Sequence, residues 1–588
     1  MALPAKHQPI YHYALHIIRA ACAQLQAEAV LPADVNIDRV EAVPPKEAIH
    51  GDVATNAAMV LAKPAGIAPR LLAEKLVALL LENPDIQSAV IAGPGFINIS
   101  LKTELWWQEL RQIVQDGSDY ARTNMGNGKK VNVEFVSANP TGPLHTAHAR
   151  GAVVGDVLAA LLEKTGHQVT REYYINDAGA QVQILAKSLY LRYREALGEE
   201  IGEIPAGFYP GEYLKPVGAA IAARDGKKWL TENEATWLPV FREFGVAQMM
   251  ESVKKDLHSL NIHMDVFSSE RALVEAGVVD ECLQQLDSMG LLYTGVLEPP
   301  KGKKPDDWEE RPQLLFRSSN FGDDMDRPLK KADGSYTYFA NDIAYHMDKL
   351  RRGAEFLVDV VGADHAGWVA RIKAAVAALS NKKAMLDVRL CALVNFLQDG
   401  QPVKMSKRQG SFVTLEDVLA EVGSDVLRFI MLTRRNDQSL DFDLVKVQEA
   451  SRDNPVYYVH YAHARCCSVL RHAVEAFGDA ALNVGAADLS RLDAAEELAV
   501  IKILASWPMV LEAAAISCEP HRLAYYLAEV AEAFHHLWTK GKDNTKLRFI
   551  GAEITETLPR LVLVKGVASI LADGLNLMGV TPREELRA

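Results

Sequence analysis

Two histidines three residues apart, in the stretch "SANPTGPLHTAHARG" at residues 137–151, are the clearest candidates for chemistry. His145 and His148 follow a turn shaped by Gly142 and Pro143, and a helical pattern of apolar residues begins directly after them. The start of a helix offers unpaired N–H groups and partial positive charge, and imidazole can donate hydrogen bonds to phosphoryl oxygens. Two ordinary surface or core histidines are the alternative. A zinc site is a weaker reading, because zinc-binding helices usually space histidines by four and no third ligand is evident.

A second polar segment, "VKMSKRQG" at residues 403–410, adds two candidate cations. Lys404 and Lys407 lie on either side of Met405, and Gly410 permits a mobile loop. Two ammonium groups on such a loop could close over a pyrophosphate leaving group, whereas a solvated basic loop is the alternative. The order of the two segments, with an all-helical stretch after them, favours nucleotide chemistry over coincidence.

The elements that must position the histidines are visible on either side of them. The segment "KKVNVEFVS" alternates as a strand does, the helical pattern ends with Gly166 as its C-cap, and "HQVTREYYI" is typical of a second strand. Strand, helix and strand predict a parallel sheet with a right-handed crossover. Residues from about 185 to 330 are irregular, and we interpret them as an insertion. The apolar "EFLVDVVGADH" predicts a further strand, and from about residue 416 onward the sequence predicts helices without strands.

The segments "HTAH" and "KMSKR" together resemble the two signature motifs of class I aminoacyl-tRNA synthetases. The resemblance implies a core that joins ATP and an amino acid into an aminoacyl-adenylate and then esterifies tRNA. The first motif and its approach comprise Ala138, Asn139, Pro140, Thr141, Gly142, Pro143, Leu144, His145, Thr146, Ala147 and His148. Ala147 stands where the family has a glycine, which leaves the closeness of the adenine contact open.

Longer stretches resemble arginyl-tRNA synthetases specifically, and they span nearly the whole chain. They include "IHGDVATNAAMVLAK", "GPGFINISL", "VEFVSANPTGPLHTAH", "YFANDIAYHMDK", "NPVYYVHYAHAR" and "LNLMGVTPREEL". The resemblance implies a multidomain α/β protein with an α+β N-terminal tRNA-binding domain at residues 1–110. A Rossmann-type parallel-sheet catalytic core follows at 125–415, interrupted by the insertion at about 185–330, and an all-helical C-terminal anticodon-binding domain occupies 416–588. The implied activity is that of an arginine–tRNA ligase.

A site for arginine needs carboxylates and a phenol in one plane, because the guanidinium is planar, charged and rich in donors. Asp342 follows Tyr338 by four residues, so both share a face if the segment is helical. By resemblance these two hold the guanidinium. Glu134, Ser137 and Asn139 match the rest of the pocket, and their division of roles stays open. A surface-facing strand residue and a helix-surface carboxylate are the alternatives for Glu134 and Asp342.

The ATP site implied by the resemblance draws on both motifs and on the "GADH" turn. Gly362 permits close approach, Asp364 can accept from ribose hydroxyls, and the role of His365 is open because some relatives carry glutamine there. The other residues expected at ATP are Gly142, Pro143, His145, His148, Lys404, Met405 and Lys407. In the helical C-terminal part, tyrosines and a tryptophan could stack on unpaired bases, although their helical spacing favours core packing. These are Tyr457, Tyr458, Tyr461 and Trp538.

Composition narrows the class of protein. The formal net charge of −13 argues mildly against nucleic-acid binding, although an acidic body can carry a local basic face. The six cysteines show no CxxC pair, so we expect neither disulfides nor structural zinc, and no other bound metal apart from Mg²⁺ arriving with ATP. No apolar run approaches the roughly 20 residues of a membrane span, and no secretory signal is evident. We therefore expect a cytoplasmic monomer without a membrane partner, whose partners are ATP, L-arginine and tRNA(Arg).

Three rival functions remain open at this stage. A synthetase for another amino acid is disfavoured, because a cysteinyl enzyme should show a Cys/His zinc site and a glutamyl enzyme a basic pocket. A nucleotidyltransferase that makes a small cofactor would leave the helical C-terminal part unexplained. An RNA-binding relative that has lost catalysis is disfavoured by the intact histidines and lysines. The resemblance also implies that arginine activation requires bound tRNA.

Overall fold

The N-terminal part is a small α+β unit built on an antiparallel sheet. The computed structural model describes residues 8–297, 311–403 and 414–586 of the chain. The elements are α1 (Ile10–Ala27), β1 (Ala42–Val43), β2 (Val53–Thr55), α2 (Ala57–Ala65), α3 (Pro69–Leu80), β3 (Ile86–Ala92), β4 (Phe96–Leu101) and α4 (Thr103–Asp116). The sheet has the order β1-β2-β4-β3, and β3 and β4 pair in antiparallel fashion around a Gly-Pro-Gly turn. Gly95 in that turn has φ +153°, and a Cβ there would lie 2.9 Å from the Pro69 side chain.

The predicted strand–helix–strand unit around the histidines is confirmed. The elements from this unit to β7 are β5 (Lys130–Phe135), α5 (Thr146–Lys164), β6 (Gln168–Ile175), α6 (Ala180–Ala196), α7 (Leu214–Asp225), α8 (Glu234–Ser259) and β7 (Val266–Ser269). β5 and β6 pair in parallel. Helix α5 lies against β5 at Gly155, where a Cβ would come within 2.2 Å of the Phe135 ring.

The predicted insertion is more regular than the sequence indicated. Helices α6, α7 and α8 lie within it, and β7 pairs in parallel with β6 as the edge strand of the central sheet. The interpretation of residues 185–330 as irregular is therefore wrong for these elements. The reason for the missed strand is its length of four residues, none of them fully buried.

The second half of the α/β part completes the central sheet on the other side of β5. Its elements are α9 (Glu270–Glu275), α10 (Val278–Ser288), β8 (Leu292–Gly295), β9 (Gln313–Phe316), β10 (Arg327–Pro328), α11 (Tyr338–Arg351), β11 (Phe356–Gly362), α12 (Val369–Leu379) and β12 (Met385–Cys391). The sheet is parallel throughout, with the order β12-β11-β5-β6-β7. The chain runs outward from β5 in one direction and then returns to β11 beside it. Ligands of doubly wound sheets bind at such a switch point, beyond the carboxyl ends of the strands.

A small sheet follows the central one and contradicts part of the sequence prediction. Its region contains β13 (Val394–Gln398), β14 (Gln401–Pro402), α13 (Leu415–Val422), α14 (Ser424–Met431) and β15 (Leu440–Asp443). β15 pairs in parallel with β13, so the prediction that no strand follows residue 416 is wrong. This short strand depends on a partner 46 residues away, as between Val394 and Leu440, which local patterns do not reveal.

Five long helices make up the C-terminal part of the chain. They are α15 (Pro455–Phe477), α16 (Ala495–Ala505), α17 (Trp507–Ser517), α18 (His521–Asp543) and α19 (Ile554–Leu577). Within the described residues, Ala495–Ser517 is long and apolar enough to cross a membrane, with a mean hydropathy of 1.6, and half of its most apolar stretch is buried in the protein. A core helix of a soluble protein has the same properties, so the expectation of no membrane partner stays a prediction.

Candidate active site

The turn after β5 holds two residues in a conformation that side chains disfavour. Val136 has φ +70° and Ser137 has φ +40°, in the left-handed region that is unusual for a β-branched residue. The Ser137 hydroxyl donates to Glu134 Oε1 at 2.9 Å and accepts from the Tyr174 N–H at 3.1 Å. Strain of this kind persists only where surrounding contacts impose it, and it clusters at functional sites.

Two side chains from the predicted insertion hold the loop that leads to the histidines. The Tyr213 hydroxyl donates to the Thr141 carbonyl at 2.6 Å, and Asp256 Oδ2 accepts from the Leu144 N–H at 3.1 Å. Burial raises the pKa of Asp256 to about 6, against the opposing effect of that hydrogen bond. A Cβ on Gly142 would lie 3.2 Å from the Tyr213 hydroxyl oxygen. Sequence reasoning missed both anchors, since they lie 72 and 112 residues from the loop residues that they contact.

The two histidines occupy the start of α5 as expected. His145 is the N-cap and accepts from the Ala147 N–H through Nδ1 at 3.3 Å, while His148 Nδ1 accepts from the His145 N–H at 3.3 Å. Their ring centroids are 3.9 Å apart. Burial, and then the neighbouring His145, lower the pKa of His148 to about 4. His148 is therefore neutral at pH 7, with its proton on Nε2, where it can donate to a phosphoryl oxygen.

The residues on either side of the second motif are described by the structure. Lys404, Met405 and Lys407 lie outside the described residues. Thr414, on the C-terminal side, forms an antiparallel bridge with His145, and the Leu415 N–H donates to the Leu144 carbonyl at 3.0 Å. The described chain therefore resumes in direct contact with the histidine loop.

One face of α11 carries both residues predicted for the guanidinium. The segment is helical from Tyr338 onward, so the prediction that Tyr338 and Asp342 share a face is confirmed. Tyr338 is 65% exposed, whereas Asp342 is partly buried and its Oδ2 accepts from Trp368 Nε1 at 2.7 Å. Burial is the main cause that raises the pKa of Asp342 to about 6, with Glu270 and Glu134 adding to it.

Further along the same face, a buried ammonium group bridges two strands. Lys349 Nζ lies 2.5 Å from Glu134 Oε2 and 3.0 Å from Asp359 Oδ1, and its side chain is inaccessible to solvent. His346 Nε2 lies 2.9 Å from Asp359 Oδ2. Burial opposes the charge, yet Asp359 and Glu134 raise the pKa of Lys349. The Glu134 carboxylate is thus engaged by Lys349 on one oxygen and by Ser137 on the other.

Two acceptors beside Asp342 are buried without a donor. Glu270 Oε1 accepts from Asn341 Nδ2 at 2.8 Å, while Glu270 Oε2 and Asn341 Oδ1 have no hydrogen-bond partner among the described residues. Burial raises the pKa of Glu270. Unpaired buried acceptors are costly, so this pair fits a ligand that brings several donors. Sequence reasoning missed Glu270, whose only signal was its place directly after β7.

The "GADH" turn lies where the sequence analysis expected it, at the carboxyl end of β11 beside β5. Asp364 and His365 are exposed, with 3.8 Å between His365 Nε2 and Asp364 Oδ2. A Cβ on Gly362 would come within 2.4 Å of the Asp364 carboxylate. The structure thus brings the histidine loop, the start of α11 and the "GADH" turn to one edge of the sheet.

Asn139 and Ala147 of the first motif are exposed, whereas Ala138, Leu144 and Thr146 of the same motif are buried. Asn139 is exposed, and its Nδ2 donates to Gln181 Oε1 at 2.8 Å. Ala147, at the position of the family's glycine, is exposed as well. Within residues 8–297, 311–403 and 414–586, no group of three or more His, Cys, Asp or Glu side chains is arranged to hold a metal ion. The expectations of no zinc and no other metal stay predictions.

A second concave site lies in the C-terminal helices. A cavity of about 720 Å³ is lined by tyrosines of α15 and by residues of α18. The Arg465 guanidinium lies 4.1 Å from the Tyr461 ring centroid and 4.7 Å from that of Trp538. Tyr457 and Tyr458 also line the cavity and are only partly buried. Tyr458 and Trp538 pack against the core, as expected, whereas the expectation is wrong for Tyr457 and Tyr461.

Comparison with family models covers all three parts of the chain. The model described as "Arginyl tRNA synthetase N terminal domain" matches residues 13–101, and "DALR anticodon binding domain" matches residues 459–586. The model described as "tRNA synthetases class I (R), catalytic domain" matches residues 109–467, more than half of the chain. The chain belongs to the arginyl-tRNA synthetase family. Its fold class, predicted from the sequence, is confirmed, whereas the exact domain boundaries stay predictions.

Individual members of the arginyl-tRNA synthetase family align along the full length. A protein of Rhodospirillum rubrum named arginine–tRNA ligase is 55% identical and covers 98% of this chain and 100% of its own length. A protein of the same name from Nitrobacter hamburgensis is 53% identical, with both chains covered completely. The solved arginyl-tRNA synthetase of Thermus thermophilus shares the fold with a TM-score of 0.73 at 21% identity, covering 98% of this chain and 100% of its own.

Proposed function

We propose that this chain is an arginine–tRNA ligase whose two reactions take place at the β5–β11 edge of the central sheet. It activates L-arginine with ATP to arginyl-adenylate, releases pyrophosphate, and transfers arginine to the 3′-terminal adenosine of tRNA(Arg) for protein synthesis. The observation that carries the proposal is the meeting, at one switch point, of a histidine-capped helix with a helix face that carries a carboxylate and a phenol.

Recognition of arginine is assigned to the start of α11 and its surroundings. Asp342 and Tyr338 hold the guanidinium, and the unpaired acceptors of Glu270 and Asn341 supply further partners for its N–H groups. Asn139 lies on the open side and faces the polar end of the substrate. Lysine cannot reproduce the planar set of donors, so its use would leave buried acceptors unpaired, a defect that can discriminate on the order of 10⁴-fold.

The support of Glu134 and Ser137 for the arginine site is indirect. Both contact internal partners, since Glu134 contacts Lys349 and Ser137 contacts Glu134 and the Tyr174 N–H. We therefore assign them to the pocket wall, where they fix the turn that precedes Asn139.

The phosphates of ATP are assigned to the start of α5. His148 presents a neutral Nε2–H donor beside the helix dipole, His145 caps the same helix start, and Lys404 and Lys407 add positive charge to the leaving pyrophosphate. The bridge between Thr414 and His145 supports the closeness of the two motifs. The arginine carboxylate is already ionised when it attacks the α-phosphorus, so the step requires no general base.

Adenosine and Mg²⁺ complete the nucleotide site. Gly142 and Pro143 shape the approach, Gly362 and Asp364 line the ribose end, and His365 lies beside them. Met405 of the second motif is assigned to the same nucleotide. Mg²⁺ arrives with ATP and neutralises part of its phosphate charge.

Transfer RNA is assigned to the C-terminal helices as well as to the active site. The cavity around Tyr461 and Arg465 can stack unpaired bases against aromatic and guanidinium planes. Exposed basic side chains at the end of α18 and after it can contact phosphates; these are Lys540, Lys542, Lys546 and Arg548. R465A should weaken tRNA affinity without changing the KM for arginine.

The protein is proposed to work as a monomer in the cytoplasm. A single chain contains every group assigned above, which supports the proposal that the protein is a monomer. Light scattering coupled to size exclusion checks it, and a dimer that dissociates with loss of activity would refute it.

Aminoacylation of tRNA(Arg) with competing amino acids tests the proposed function. We expect charging with arginine and with canavanine, an isosteric guanidine analogue, and no charging with lysine. Failure to activate canavanine at high concentration would count against the pocket as assigned, and charging with lysine at a rate near that of arginine would refute it.

A further inference from the structure

Three carboxylates lie side by side across the central sheet beneath α11. Asp359 on β11 pairs in register with Glu134 on β5, and Glu134 pairs with Glu172 on β6. All three are at most 9% exposed. Residues in register on neighbouring parallel strands point to the same face, where adjacent like charges repel. Three adjacent buried carboxylates therefore need positively charged side chains close to them.

The last turn of helix α11 and the residue directly after it supply those cations. Lys349 Nζ lies between Glu134 and Asp359, at 2.5 and 3.0 Å, and Arg352 lies 2.8 Å from both oxygens of Glu172. Arg352 remains partly exposed, whereas the Lys349 side chain is inaccessible to solvent. Water therefore cannot replace the carboxylate partners of Lys349. Among the described residues, Glu134 and Asp359 have no other ammonium group within salt-bridge distance.

The contacts continue from Lys349 to the strained turn. Glu134 accepts from Ser137 on its other oxygen, and Ser137 in turn accepts from the Tyr174 N–H. Val136 and Ser137 both hold positive φ angles there, so the turn depends on these hydrogen bonds. The chain that leaves this turn becomes the loop to the two histidines.

We propose that Lys349 is a positioning residue for arginine activation: it joins the arginine-binding helix α11 to β5 and, through Glu134 and Ser137, holds the left-handed turn that aims the histidine loop. Lys349 reaches neither substrate. It keeps Glu134 and Asp359 compensated internally, which leaves Asp342 and Glu270 as the carboxylates offered to the guanidinium. This inference rests on the proposed arginine site.

The test compares K349M and K349R with the unsubstituted enzyme in arginine-dependent exchange of pyrophosphate into ATP, with tRNA(Arg) present. We expect K349M to lose on the order of 100-fold in kcat/KM for arginine, with an increased KM for arginine and a KM for ATP within about threefold of normal. K349R should keep activity within about tenfold, because it retains the positive charge. A merely structural role would lower the amount of active enzyme and leave both KM values unchanged.

Lys164 is a matched control. It is a second buried lysine, 8% exposed in its side chain, and Nζ lies 2.8 Å from Asp573 Oδ1 at the far end of α5. K164M should lower the melting temperature as K349M does, yet leave the KM for arginine unchanged. Equal increases of the arginine KM in both variants would overturn the proposal.

A double-mutant cycle tests the route through Glu134. E134Q combined with K349M should cost little more than K349M alone, because both changes break the same contact. Losses that multiply would refute that route. If K349M does not fold, S137A tests the same turn with a milder change, and normal kinetics of S137A would overturn the proposal. Absence of arginine-dependent exchange in the unsubstituted enzyme would instead refute the proposed function.

Discussion

Replacement of Asp342 by asparagine removes one negative charge from the proposed arginine site with almost no change in shape. Asparagine keeps an oxygen that can accept from Trp368 Nε1, the 2.7 Å contact of the native carboxylate. The packing of α11 is therefore preserved, and the change isolates the electrostatic contribution to binding of the guanidinium.

The structure sets the size of the expected loss. Truncating one partner of a buried, hydrogen-bonded charge pair costs about 3–5 kcal/mol, which is roughly 100- to 4,000-fold in kcat/KM for arginine. Stability should move in the opposite direction. Burial raises the pKa of Asp342 to about 6, so its charge destabilises the fold at pH 7, by about 1–3 kcal/mol. D342N should thus be at least as stable as the native protein.

Arginine-dependent pyrophosphate exchange with tRNA(Arg) gives the kinetic loss, and thermal unfolding gives the change in stability. The informative outcome is their separation, a large loss of activity without a loss of stability. A D342N enzyme with an arginine KM within about threefold of normal would refute the assignment of Asp342 to the guanidinium. A large fall in melting temperature would refute the account of its charge as destabilising.

Three further outcomes follow from the site and one from the fold. The KM for arginine should rise about tenfold per pH unit below pH 6, because Asp342 must be ionised to bind the guanidinium. The neighbouring titratable groups are Glu270, Glu134 and His346. A KM that stays constant between pH 5 and 8 would contradict this prediction. W368F removes a donor to Asp342 and should move that rise to higher pH, as the same profile shows. H148A should lower the kcat of arginine activation on the order of 100-fold. Because the pKa of His148 is about 4, its protonation state should stay constant between pH 6 and 8. Unchanged single-turnover rates in H148A would remove His148 from the mechanism. G155A should lower stability by about 1–3 kcal/mol in thermal unfolding, because its Cβ would meet the Phe135 ring.

Local patterns in the sequence predict the elements that are long and bounded by turn residues. The strand β5, the helix α5 and the strand β6 follow from alternation, helical spacing and the glycine at residue 166, which has φ +91°. Strands β7 and β15 have four residues each, and their pairing with β6 and β13 is set by partners distant in sequence. No local pattern distinguishes such strands from loops.

The candidate site shows the same division between local and distant information. His145, His148 and Asp342 carry spacing signals, and the helix confirms the shared face of Tyr338 and Asp342. Lys349 reads as an ordinary helix lysine, although it is fully buried against two strands. Asp359 is the lone charged residue inside the apolar "FLVDVVG". A charge in a buried strand indicates a buried partner, so this residue could have predicted the network.

Loop anchors were beyond sequence reasoning for a physical reason. Tyr213 and Asp256 contact the histidine loop through a backbone carbonyl and a backbone N–H, which any residue can supply. Which side chains contact the loop depends on where α7 and α8 lie relative to the sheet. The position of the histidine loop therefore depends on a segment that the sequence identified only as an insertion.

The most direct test of the central claim is pyrophosphate exchange into ATP by the full-length protein, measured with and without tRNA(Arg) and with arginine or lysine. The account predicts exchange that requires arginine, that lysine does not support, and that appears when tRNA is bound. Exchange with arginine in the absence of tRNA would keep the amino acid and contradict only the dependence on tRNA. No exchange with arginine under either condition would contradict the account of the site.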